Sequence, residues 1–123
     1  MAFVEVKKEE RIATITFNRP EAMNALNAEV LKTFHAAIKE LAAQKDVSVV
    51  ILTGAGEKAF IAGADISEMK PMNEEQARQF ATMGQEILFD MERMAQITIA
   101  AVNGFALGGG CEVAMDRKAS TAR

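Results

Sequence analysis

The chain is 123 residues long, half of them hydrophobic and a quarter charged, with a formal net charge of −3. That size allows one domain with a real core, and its scattered basic and acidic residues give no electrostatic case for nucleic acid. No apolar run reaches the roughly 18 residues of a membrane span, and Met1 to Lys8 lacks a signal-peptide layout. A single cysteine, Cys111, excludes an internal disulfide and fits a reducing compartment, the cytoplasm.

Phe3–Val6 and Ile12–Phe17 alternate apolar and polar side chains on either side of Lys7-Lys8-Glu9-Glu10, which predicts a hairpin. Asn18-Arg19-Pro20 ends the second strand, because proline cannot continue a ladder and restricts the residue before it. Asn27 is placed to cap a helix running to about Gln44, with Leu31, Phe34, Ile38 and Leu41 at helical spacing. Val47–Thr53 is short, apolar and β-branched, the pattern of a strand buried on both faces, and Gly54-Ala55-Gly56 closes it.

The longest helix is expected from about Glu74 to Ala95, capped by Asn73 with Gln76 in the capping-box position. Ala77, Phe80, Ala81, Gly84, Ile87, Leu88, Met91 and Met94 form one stripe, so this helix should lie on apolar surface along its length. Ile97–Val102 reads as the next strand. The order strand-strand-helix-strand-helix-strand-helix is that of an α/β layered fold, with no internal repeat, low-complexity tract or linker.

The chemistry concentrates between Ile99 and Met115, IAAVNGFALGGGCEVAM. An apolar strand runs into Gly108-Gly109-Gly110 and then into a helix start carrying Glu112. Glycines admit close backbone approach, a helix start presents free N–H groups to developing negative charge, and a glutamate one turn away can move a proton. Phe60–Met69, FIAGADISEM, has the look of a second half of the same arrangement. Read singly, the three glycines would make only a tight turn, and Glu112 would be a first-turn acid favoured by the helix dipole.

Other features have plainer readings. Asp65 is a local cap or turn former, His35 lies near the apolar edge of its helix, and Cys111 is a small packed side chain. Met69, Met72, Met83, Met91 and Met94 suit core filling, oligomer contacts or an adaptable acyl pocket. Gly54-Ala55-Gly56-Glu57-Lys58-Ala59 matches the dinucleotide pattern G-x-G-x-x-A, but Phe60-Ile61-Ala62-Gly63 is poor material for the helix which that pattern requires.

The hairpin followed by NRPEAMNAL, the strand VVILTGAGEKAF, the IAGADI turn and IAAVNGFALGGGCE stand in the order and spacing of the enoyl-CoA hydratase/isomerase (crotonase) superfamily, which the chain resembles over residues 1–115. The resemblance implies a crotonase-type α/β fold, ββα units wound into a right-handed spiral. Residues 1–123 then read as the N-terminal portion, about the first half, of a single domain of that fold. It also implies that the N–H groups of Ala64 and Gly109 hold a thioester oxygen as it becomes an enolate. Preorganised donors of that kind are worth roughly 3–4 kcal/mol each. Glu112 corresponds to one of two glutamates that act on a shared water.

Ala62, Gly63, Ala64, Asp65, Ile66 and Gly109 would line the path of the acyl-CoA thioester. No metal or other cofactor is implied, coenzyme A being part of the substrate. The implied activity is reversible hydration of a trans-2-enoyl-CoA to a 3-hydroxyacyl-CoA. The alternatives are another acyl-CoA reaction of the superfamily (isomerase or lyase), or an inactive fragment that binds acyl-CoA or a partner. Family members assemble as trimers or dimers of trimers, so a homo-oligomer is expected of the full-length parent.

Departures from the family pattern are local. Thr98 stands where a proline is usual, and Ser67 where a basic residue commonly follows ADI, leaving Lys70 as the nearby cation. The second glutamate of the pair belongs to a segment resembling FGQPE, which these residues do not contain. After Met115 the sequence turns to Asp116-Arg117-Lys118 and a polar tail.

Overall fold

The structure, a computed structural model, describes residues 3–106, 110 and 119–122. Its elements are β1 (Val4–Glu9), β2 (Ile12–Phe17), a single 3-10 turn at Pro20–Ala22, α1 (Ala28–Ala42), β3 (Val49–Gly54), β4 (Ala59–Ile61), α2 (Ile66–Met69), α3 (Glu74–Arg93), β5 (Ile97–Val102), β6 (Phe105–Ala106) and β7 (Ala119–Ala122). The chain thus repeats a strand-strand-helix unit. The main sheet has the order β1-β2-β3-β5-β7, while β4 and β6, the second strands of their units, pair in a sheet of their own. β1 and β2 are antiparallel, and the later neighbours in the main sheet are all parallel.

The hairpin is tighter than the sequence pattern suggested. β1 continues through Lys7, Lys8 and Glu9, and Glu9 pairs with Ile12, so that Glu10 and Arg11 alone make the turn. As the outermost strand, β1 keeps these charged side chains in solvent, where they also discourage further pairing. Glu10 takes a positive φ of 55° to reverse the chain.

Both long helices begin where their capping residues predicted. The Asn27 side chain accepts from the Val30 N–H at 2.8 Å. Asn73 and Gln76 form the reciprocal capping box, an arrangement that satisfies two donors left over at the helix start. At the other end of α1, Gln96 donates to the carbonyls of Leu41 and Gln44.

The core lies between the main sheet and these helices. Ala13, Ile15 and Phe17 of β2, Val50 and Leu52 of β3, and Ala100 of β5 face Val30, Phe34, Ile38 and Leu41 of α1, with Ile87 and Met91 of α3. Phe17 is at its centre, edge-on to Phe34 at 4.9 Å and to Phe60 at 6.1 Å between ring centroids. His35 joins the helices across their outer edge, its Nε2 2.8 Å from an Asp90 carboxylate oxygen.

Three expectations need correction. β3 starts at Val49, because Val47 is held in the turn after α1 by Gln44. Only one face of β3 is fully buried, Val49, Ile51 and Thr53 being partly open on the other. α3 is buried on protein only toward its C-terminal end, at Ile87 and Met91, whereas Ala77 and Ala81 of its stripe are exposed. The polar tail contributes β7, paired in parallel with Ile99–Val102. The open backbone edge of β5 is a template for pairing that needs no apolar signal in the added strand. Among the described residues no helix is long and apolar enough to cross a membrane.

Candidate active site

β4 and β6 run parallel, with Ile61 opposite Ala106. Ala64 follows Ile61 by three residues and Gly109 follows Ala106 by three, so the two candidate donors have the same offset from one register pair. Gly109, Glu112 and Cys111 lie outside the described residues. Gly110 is described: its backbone is helical, and it is buried against β4. A Cβ there would overlap the Ile61 carbonyl. The two glycine-bearing segments singled out in the sequence therefore meet backbone to backbone, and only glycine permits that approach.

Ala64 is held by a short parallel bridge to Leu26. Leu26 donates its N–H to the Gly63 carbonyl and accepts from the Asp65 N–H, both at 2.7 Å. These bonds straddle Ala64, and since successive residues of an extended chain present their polar groups to opposite edges, the Ala64 N–H points away from Leu26. Among the described residues it donates to no acceptor. Gly63, at φ +107°, supplies the backbone reversal just before it. The neighbouring Ala62 N–H, in contrast, is committed to the Met23 carbonyl.

Side chains from distant segments fix this loop. Asn24 is 1% exposed; it accepts from the Arg19 N–H at 2.8 Å and donates to the carbonyls of Ala55 and Ala59. Asn103 accepts from the Gly54 N–H and donates to the carbonyls of Gly54, Gly56 and Ala59. Arg19 pairs with Asp65 at 2.8 Å, with side chains 17% and 14% exposed. Asp65 also caps α2 by accepting from the Ser67 N–H and hydroxyl. The Ser67 hydroxyl first, and the Arg19 guanidinium after it, hold the Asp65 carboxyl below its ordinary pKa. Glu68 accepts from the Ala28 N–H at the start of α1.

Ala64 lines a cavity of about 330 Å³ whose other walls are nearly all apolar, among them Leu26 and Phe34, Met69 at the end of α2, and Phe80, Gly84 and Leu88 of α3. Phe80, Ala81 and Gly84 of the α3 stripe face this space, whereas Ala77 is exposed and does not line it. A donor aimed away from its own bridge, at the rim of an apolar chamber, can stabilise negative charge on an oxygen while an attached hydrocarbon chain enters the cavity.

The other expected positions of this segment flank Ala64 in the chain and do not themselves line the cavity. Gly63 is buried, Ala62 and Asp65 are partly buried, and Ile66 is 74% exposed. Lys70 is exposed at the end of α2. No helix follows Gly54-Ala55-Gly56; β4 does, which removes the dinucleotide reading. The sequence reading missed Asn24, Asn103 and the Arg19–Asp65 pair. Their partners lie across long gaps in the chain, and the only local sign is the polar Asn24 within an otherwise apolar AMNAL run.

A family model described as enoyl-CoA hydratase/isomerase matches residues 7–117. A protein of Clostridium acetobutylicum named short-chain-enoyl-CoA hydratase is 53% identical over 112 residues, which are 91% of this chain and 43% of that protein. A crotonyl-CoA hydratase of Syntrophomonas wolfei is 46% identical over 110 residues, 42% of its length. The crystal structure of an enoyl-CoA hydratase from Bacillus anthracis superposes with a TM-score of 0.95 at 37% identity, over 98% of this chain and 47% of that one. This chain spans less than half the length of each of these relatives.

Proposed function

Since the chain belongs to the enoyl-CoA hydratase/isomerase family and shares its crotonase fold, we propose that it serves the reversible hydration of a trans-2-enoyl-CoA to a 3-hydroxyacyl-CoA. The observation that carries this is the Ala64 N–H, clamped by the Leu26 bridge and without an acceptor among the described residues, beside an apolar cavity. Residues 1–123 are on this reading the N-terminal portion of a single crotonase-fold domain, in keeping with the 43% of its relative that the chain spans.

The oxygen of water forms a bond to C3 as its proton passes to a carboxylate, and the C2=C3 pair shifts toward the thioester. The negative charge collects on the thioester oxygen, where the Ala64 and Gly109 N–H groups donate to it. A proton then returns to C2, so that water has added across the double bond. Glu112 is one of the carboxylates that move these protons. Such groups contribute about 10²–10⁴ in rate, and each oxyanion donor roughly 3–4 kcal/mol. Addition of water leaves the overall oxidation state unchanged, so the reaction calls for no redox cofactor.

Ala62, Gly63, Asp65 and Ile66 border the acyl-CoA path on this reading. The Asp65 carboxylate serves that path as the loop's anchor, its oxygens being engaged by Ser67 and Arg19. A homo-oligomer of the full-length parent, a trimer or dimer of trimers, in the cytoplasm completes the proposal. The exposed Phe89 and Phe105 offer apolar surface for assembly, and the single cysteine suits a reducing compartment. The test is incubation of the purified protein with crotonyl-CoA. Loss of the conjugated absorbance with formation of 3-hydroxybutyryl-CoA supports the reading, and an unchanged spectrum refutes it.

A further inference from the structure

Gly84 stands in the interior of α3, where only proline is less favourable to a helix. Nothing around it demands the missing side chain. Apart from its chain neighbours and the backbone of its own helix, no heavy atom lies within 4 Å of the position its Cβ would occupy, and it is not among the glycines with positive φ. Gly110 is the opposite case, since the Ile61 carbonyl fills the place of a side chain there. The open space beside Gly84 is the cavity that begins at Ala64, with Phe80, Ala81 and Leu88 on the same helix wall. An alanine would fit without a clash and would strengthen the helix, so what the glycine provides is room.

We propose that Gly84 sets the length of acyl chain that the cavity accepts, an inference that rests on the acyl-CoA reading above. The thioester is anchored at the Ala64 end, and the chain extends along the α3 wall, whose lining is apolar apart from Gln85. Each methylene that leaves water for such a surface tightens binding about fourfold. A branched side chain at position 84 takes that space from the far end of a long acyl group and leaves a short one untouched.

The test compares the wild-type protein with Gly84→Ala and Gly84→Leu. Binding of butyryl-, hexanoyl- and octanoyl-CoA is measured by titration calorimetry, and hydration is followed with crotonyl-, hexenoyl- and octenoyl-CoA. Gly84→Leu is expected to keep the shortest ligand within about twofold while losing roughly tenfold or more on the longest, the cost of about two displaced methylenes. Gly84→Ala should fall between, and both variants should melt no lower than wild type. Chain-length profiles that run parallel to wild type would overturn the inference while leaving the hydratase reading intact. Absent hydration with a shortened binding profile would keep the inference and remove the hydratase reading. If no acyl-CoA binds at any length, both fall.

Discussion

Asn24 and Asn103 donate to the same carbonyl oxygen, that of Ala59, at 2.9 and 3.2 Å. One comes from the loop before α1 and the other from the loop after β5, and they converge on the first residue of the strand that leads to Ala64. Either side chain alone still leaves Ala59 with a partner, whereas loss of both strips it. Asn24→Ala and Asn103→Ala should each cost about 1–3 kcal/mol in urea unfolding, the penalty for buried groups left unpaired. The double variant should lose at least about 0.5 kcal/mol more than the sum. Strict additivity would show that the two latches act on separate elements.

Gly110→Ala forces a methyl group into the Ile61 carbonyl. The backbone contact between the two glycine-bearing segments must then open, at a cost of about 1–3 kcal/mol for overpacking. Hydration activity should fall steeply with it, because the two donor turns are parted. A variant with wild-type stability and rate would mean that the close approach has no part in the site.

Asp65 makes stability depend on pH in a fixed direction. Its folded pKa is depressed by the Ser67 hydroxyl and by Arg19, so the unfolded chain takes up a proton more readily than the folded one. The contribution is complete above the ordinary aspartate value of about 3.9 and is lost as pH falls through the folded pKa. Thermal melts should therefore hold level from neutral pH to about pH 5 and decline below that. Asp65→Asn should melt lower at neutral pH and show a shallower acid decline. Asp46, depressed by its hydrogen bond to Lys8, is more exposed, and its share should fade with added salt. An acid decline unchanged in Asp65→Asn would assign the effect to other carboxyls.

What the sequence disclosed about the fold was local or periodic. Asn27 and Asn73 were recognisable as caps because a cap acts within three residues of itself. The apolar stripe of α3 was visible, but a stripe that faces a cavity looks the same in sequence as one that faces protein. This is why Phe80, Ala81 and Gly84, which line the cavity, read in sequence like positions packed on protein. β7 left no trace because its pairing uses backbone groups, which every residue carries. The candidate site was legible as two glycine-bearing segments, and Gly110 against Ile61 shows why they belong together. Asn24, Asn103 and Arg19 were not legible as latches, since hydrogen bonds between residues 31 to 49 positions apart have no signature in spacing.

The most direct test of the central claim is the rate of crotonyl-CoA hydration by the purified protein and by Glu112→Gln, with coenzyme A thioester binding measured on both. The expected result is a fall in kcat of at least about a hundredfold, the contribution of a general acid–base, with binding changed little. Equal rates in the two proteins would contradict the claim and take Glu112 out of the mechanism.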